Sequence, residues 1–137
     1  MPTNRESADY SGLQNEIPGL KIDPPLEVIE NVYRDRDYWV EYFTDEFTSI
    51  CPKTGLPDFA SLSIQYIPGD YLVEEKALKM YLNGYRNLGI FQENATNKIL
   101  DDFVAAVKPR YVNVNAEWNK RGGIGTKVEA EWGSPRD

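Results

Sequence analysis

Cys51 is the only cysteine in a chain of 137 residues, and a carboxylate, Asp58, follows seven positions later. A lone thiol forms no internal disulfide, so it serves either packing or reactivity. Free cysteine is often a small buried hydrophobe, and position alone favours that reading. Three features weigh the other way. Pro52 and the Gly55/Pro57 turn place the thiol in a stiff loop rather than mid-strand. Lys53 is close enough in sequence to favour the thiolate. Asp58, at the start of the next apolar segment, can fold back across the loop towards the sulfur. The chain has no histidine, which leaves a carboxylate as the natural proton shuttle. That absence, with a single cysteine, also argues against a zinc site of the ordinary kind, and no metal is expected.

Two further groups could bind rather than react. Lys76, Lys79, Asn83 and Arg86 fall on one side of a predicted helix, opposite Leu78, Tyr81, Leu82 and Tyr85. A solvated polar face explains such a stripe, and so does a phosphate site in an otherwise acidic protein. Glu93 stands in the first turn of a second predicted helix, where an acid suits the helix dipole without any other role. As a ligand group, the same carboxylate could accept paired N–H donors from a guanine-like ring. No glycine-rich nucleotide fingerprint follows a strand, and Gly122, Gly123 and Gly125 read as turn residues.

The elements that must position these groups follow from periodicity. Residues 1–33 read as an irregular arm interrupted by Pro18, Gly19, Pro24 and Pro25, with Leu20, Ile22, Leu26, Val28 and Ile29 laid partly against the body. A folded domain over 34–137 follows. Alternation from Asp37 through Phe43 predicts a strand, and Phe59–Ile67 a second. Glu75–Asn87 and Phe91–Val107 predict helices, the first broken by Leu88-Gly89 and the second stopped by Lys108-Pro109. Arg110–Trp118 and Ile124–Trp132 predict a closing hairpin. The order β-β-α-α-β-β predicts an α+β fold, an antiparallel sheet with both helices on one face. Its open edges call for cover by other copies.

Composition narrows the function classes. The net charge is −7 and the pI near 4.7, which disfavours stable binding to nucleic acid. No apolar run is long enough to span a bilayer. Met1–Ser11 lacks a signal-peptide pattern, and one cysteine suits a reducing cytoplasm.

Four segments together resemble the 7-cyano-7-deazaguanine reductase family, the nitrile reductases of queuosine biosynthesis, in its unimodular branch. They are Phe47–Gly55 with Pro57–Ala60, Glu74–Tyr81, Phe91-Gln92-Glu93 and Arg121-Gly122-Gly123. The resemblance runs from about Leu26 to Trp132. It implies a tunnelling fold (T-fold) whose subunits assemble into a multimeric barrel, typically stacked pentamers forming a decamer. It implies that Cys51 adds to the nitrile carbon as a covalent thioimide, with Asp58 as proton donor. Glu93 would bind the deazaguanine ring, with Val73, Glu74, Glu75 and Gln92 lining the pocket. Lys76 and Lys79, with Arg86 beside them, would meet the phosphates of NADPH at a subunit interface. The outcome would be four-electron reduction of the nitrile to the aminomethyl base.

Four positions depart from the family pattern. Gln92 replaces a frequent histidine, Glu75 and Met80 replace Ser/Leu and Leu in the cofactor motif, and Lys120 stands where a proline usually precedes Arg-Gly-Gly. Glu75 adds negative charge beside the phosphate site and predicts weaker cofactor affinity. Two other functions fit the same residues. One is an amidine-forming transferase acting on the nitrile base in tRNA, a group that lacks the cofactor motif kept here. The other is a non-catalytic purine-binding T-fold protein. The choice between NADPH and NADH, the oligomer size and the role of the arm are not legible at this level.

Overall fold

A computed structural model describes residues 19–135. Eight elements follow in order: β1 (Val28–Glu30), β2 (Val40–Ile50), β3 (Pro57–Ile67), β4 (Tyr71–Val73), α1 (Glu75–Asn83), α2 (Gln92–Val107), β5 (Tyr111–Arg121) and β6 (Ile124–Gly133). The long strands form one antiparallel sheet in the order β2-β3-β5-β6. This is the expected β-β-α-α-β-β chain, with one addition. β1 and β4, three residues each, form a separate antiparallel ladder that pairs Val28 with Val73.

Alternation along the strands separates the two faces of the sheet. Ala60, Leu62, Ile64 and Tyr66 of β3 and Val112, Val114, Ala116 and Trp118 of β5 are all buried beneath the helices, as period-two patterning requires. The opposite face is polar, with Ser63 donating to Glu41 at 2.6 Å and Asn113 to Glu129 at 2.8 Å. α2 buries Ala95, Ile99, Phe103 and Val107 on one stripe, and Phe103 meets Tyr66 edge-on at 4.8 Å.

The first helix is shorter than its periodicity predicts. It ends at Asn83 rather than Asn87, with Gly84 as its cap. The arm explains the early stop. A Cβ at position 84 would lie 2.6 Å from the Ile22 side chain and 2.8 Å from the Asp23 carbonyl oxygen. Glycine therefore lets the arm cross the helix end, burying Ile22. Tight turns then carry the chain from Tyr85 to Leu88.

Candidate active site

Cys51 is the first residue past β2. Its N–H donates to the Leu56 carbonyl at 2.9 Å and its carbonyl accepts from the Gly55 N–H at 2.8 Å. Gly55 has φ of 74°, a conformation that glycine reaches without strain, and it closes the loop behind the sulfur. The thiol is half-buried. Burial is the largest influence on it and pushes its pKa up. Contacts from the Thr54 hydroxyl and from the backbone of Thr54 and Lys53 outweigh that push, although the nearby Asp58 charge opposes them, and the net shift is downward. The thiolate is therefore more populated at neutral pH than in an ordinary cysteine.

Thr54→Ala should reverse this. With its hydroxyl gone the thiol pKa rises, so the reactive thiolate fraction falls at any fixed pH near neutrality. Alkylation of Cys51 by iodoacetamide should slow several-fold at pH 7, with its midpoint displaced to higher pH. Thr54→Ser, which retains the hydroxyl, should behave as the parent. An unchanged profile in Thr54→Ala would remove Thr54 from this role.

Asp58 is buried on the helix-facing side of β3, across the ladder from Ser49. Ser49 and Cys51 are two residues apart and so share that side, which brings the carboxylate to the sulfur. Two features were invisible in the sequence. The carboxylate forms an ion pair with Arg121, at the far end of β5. The Ser49 hydroxyl is fully buried with no hydrogen-bond partner among the described residues.

The start of α2 is brought to the same place by backbone hydrogen bonds. Ile50 donates to the Leu88 carbonyl and accepts from the Ile90 N–H, each at 2.9 Å, in a parallel bridge centred on Gly89. In that register Cys51 lies alongside Ile90, and Gln92 and the exposed Glu93 follow two and three residues on, at the start of α2. The bridge thus brings the start of α2, which carries Gln92 and Glu93, to the end of the sheet that holds Cys51 and Asp58.

The remaining candidates lie elsewhere. Glu75, Lys79, Asn83 and Arg86 line a groove between α1 and the edge strand β2, whose other wall includes Tyr42 and Thr48. Lys76 is exposed but does not line this groove. Glu74 caps α1, its two carboxylate oxygens accepting from the Lys76 and Ala77 N–H groups at 3.0 and 2.9 Å. Val73 is buried in the β1–β4 ladder. Glu75 faces Tyr42 across the groove, nine residues up β2 from Cys51. At about 3.3 Å per residue this is roughly 30 Å of strand, so within one chain Val73, Glu74 and Glu75 are far from the thiol. Among the described residues no cluster is placed to hold a metal ion, and no helix is long and apolar enough to cross a membrane.

Comparison with known proteins identifies the family. The family model described as QueF-like protein matches residues 57–137. An NADPH-dependent 7-cyano-7-deazaguanine reductase of Chloroherpeton thalassium is 56% identical over 107 residues, covering 78% of this chain and 92% of that protein. One of Caldicellulosiruptor bescii is 53% identical over 128 residues, covering 92% of this chain and 98% of that protein. Among solved structures, the apo form of the archaeosine synthase QueF-Like superposes with a TM-score of 0.66 at 28% identity, covering 72% of this chain and 96% of that one. The fold is the expected α+β tunnelling fold. With identities above one half across nearly the whole of these two reductases, this chain belongs to the family of the NADPH-dependent 7-cyano-7-deazaguanine reductases.

Proposed function

We propose that this chain is an NADPH-dependent oxidoreductase that reduces the nitrile of 7-cyano-7-deazaguanine to an aminomethyl group, in queuosine biosynthesis. The observation that carries the reading is the convergence of a thiol of lowered pKa, a buried carboxylate and the start of α2 at one end of the sheet. Cys51 is the nucleophile, since a thiolate adds to a nitrile carbon without any leaving group. Asp58 moves the proton. Glu93, exposed on the first turn of α2, accepts from the N–H groups of the base, and Gln92 donates or accepts beside it.

The groove along α1 suits a dinucleotide. Lys79 and Arg86 offer cationic donors to its phosphates, and Tyr42 and Leu78 offer apolar wall. NADPH, when bound, supplies the hydrides. Lys76 extends the positive surface outside the groove, and Glu75 tempers it.

The open edges of the sheet suit the same reading. β2 and β6 are open edges, and Phe43 on β2 and Ile124 and Trp132 on β6 are exposed, which favours pairing between copies. Homo-oligomerisation into a barrel, with a decamer of stacked pentamers as the expected form, would bring Val73, Glu74 and Glu75 of one copy to the Cys51 loop of another. The proposed compartment is the cytoplasm.

The amidine-forming alternative is favoured only by likeness to the archaeosine synthase, and that likeness is 28% against 56% for the reductase. NADPH oxidation measured with and without the free nitrile base decides. Oxidation that depends on the base supports the reductase. Adduct formation without oxidation would overturn it in favour of the transferase, and base binding with neither would leave a purine-binding protein.

A further inference from the structure

Arg121 reaches Asp58 through a local irregularity. The β5–β6 register shifts between Trp118 and Arg121, and such an extra residue reverses the side on which following side chains emerge. Trp118 is buried on the helix-facing side, and strict alternation would send Arg121 to the opposite side. The shift instead returns it to the side of Asp58. The turn beyond it, Gly122-Gly123, holds φ of 61° and 84°, which suits glycine at both positions. The guanidinium then uses a single nitrogen, Nη1, to donate to the Pro57 carbonyl at 3.0 Å and to the Asp58 carboxylate. Asp58 is almost fully enclosed, with 6% of its side chain accessible, whereas Arg121 retains 35%. Enclosing a carboxylate is costly without a charged partner, and Arg121 supplies that partner.

This contact bears on the direction of proton flow. A carboxylate that accepts from a guanidinium is oriented to accept a proton before it gives one. The Cys51 thiol, two residues past the Ser49 that faces Asp58, is the proton source the ladder offers, and its titration senses the Asp58 charge. Resting on the nitrile-reductase reading, we propose that Arg121 is the positioning residue of the addition step, fixing Asp58 as a carboxylate that accepts the thiol proton and then returns it to the substrate. The balance is that of adding S–H across C≡N. The S–H bond breaks and its proton passes to Asp58. The sulfur electron pair forms the S–C bond, and one π bond of the nitrile becomes a nitrogen lone pair. Asp58 then protonates that nitrogen, giving the thioimide C(=NH)–S and an unchanged carboxylate. No oxidant or reductant enters.

A residue that only pinned the hairpin to Pro57 would behave differently, and a double-mutant cycle separates the two roles. The rate of thioimide formation is followed by mass spectrometry after mixing with 7-cyano-7-deazaguanine in the absence of NADPH. Arg121→Gln should slow it by on the order of tenfold or more, a part of the roughly 10²–10⁴-fold worth of general acid–base catalysis. Arg121→Lys, which keeps the charge, should recover most of that loss. In an Asp58→Asn background, Arg121→Gln should cost nothing further. Affinity for the base, measured on Cys51→Ala, should be unaltered by adding Arg121→Gln. Equal losses from Arg121→Gln with and without Asp58 would overturn the proposal, as would an undiminished rate in the single variant. A parent protein that takes up no adduct would overturn the reductase reading and this inference together, whereas a normal parent adduct with an insensitive Arg121 overturns this inference alone.

Discussion

Cys51→Ala is expected to abolish covalent capture of the nitrile base and base-dependent NADPH oxidation together, by at least about 10³-fold, because nothing else in the chain can form the thioimide. There is no second cysteine to substitute for it and no histidine to activate water in its place. The fold should survive. Both backbone hydrogen bonds of residue 51 close the loop without its side chain, and the sulfur is only half-buried. The base should still bind, since Glu93 and Gln92 belong to α2 and not to the loop. Intact-mass measurement, NADPH absorbance and titration of binding on the one variant therefore give three separate readings. The expected result is no adduct, no oxidation and retained binding. An adduct on Cys51→Ala would refute the thiol as nucleophile, and lost binding with a folded protein would show that the sulfur also holds the base.

The sequence made the long elements legible because each carries its period over many residues. α2 repeats Ala95, Ile99 and Phe103 at four-residue steps, and all three are buried; the stripe closes on Val107, whereas Ala106, which the spacing also offers, is half-buried. β3 and β5 alternate without interruption. The short ladder of β1 and β4 was not legible, since three residues show no period and each strand exists only through the other. α1 ends earlier than its spacing implies because its end depends on Ile22 and Asp23 crossing at Gly84, a contact distant in the chain that helical spacing cannot report. The site divides in the same manner. Cys51 and Asp58 are seven residues apart and joined by a hairpin, so the pairing was visible. Arg121 lies 63 residues from Asp58 and reaches it only because the strand slips register. Glu74 and Glu75 adjoin the lysines in sequence, yet Glu74 serves as a helix cap and Glu75 lies along a groove at the other end of the sheet.

The second large effect is structural and falls on the join between the two helices that carry the candidate binding groups. Asp102 of α2 accepts from the Tyr81 hydroxyl of α1 at 2.6 Å through one oxygen and from Lys98 Nζ at 3.0 Å through the other. Tyr81 and Tyr85 share a further hydrogen bond of 2.8 Å between their hydroxyls. Lys98 is the critical member, because only 7% of its side chain is accessible. Burial first, reinforced by the Asp102 charge, pushes both tyrosines well above their ordinary range, so they remain neutral donors at any physiological pH. Asp102→Ala would strand the buried Lys98 ammonium without the carboxylate it pairs with. Breaking one side of a buried pair costs roughly 3–5 kcal/mol, and since Asp102 keeps 26% of its side chain accessible, a loss of about 3 kcal/mol is expected. Removing both charges as Asp102→Leu with Lys98→Met should recover most of it, because the stranded ion and not the lost attraction is the larger cost. Urea unfolding measures this as a displaced midpoint at constant slope. A single variant less than about 1 kcal/mol below the parent would deny the network its role, and a double variant no better than the single would place the cost in packing. The functional consequence follows from position. Arg86 adjoins Tyr85, and Gln92 and Glu93 open the helix that carries Asp102, so loosening this join should weaken base binding before it alters the reactivity of the Cys51 thiol.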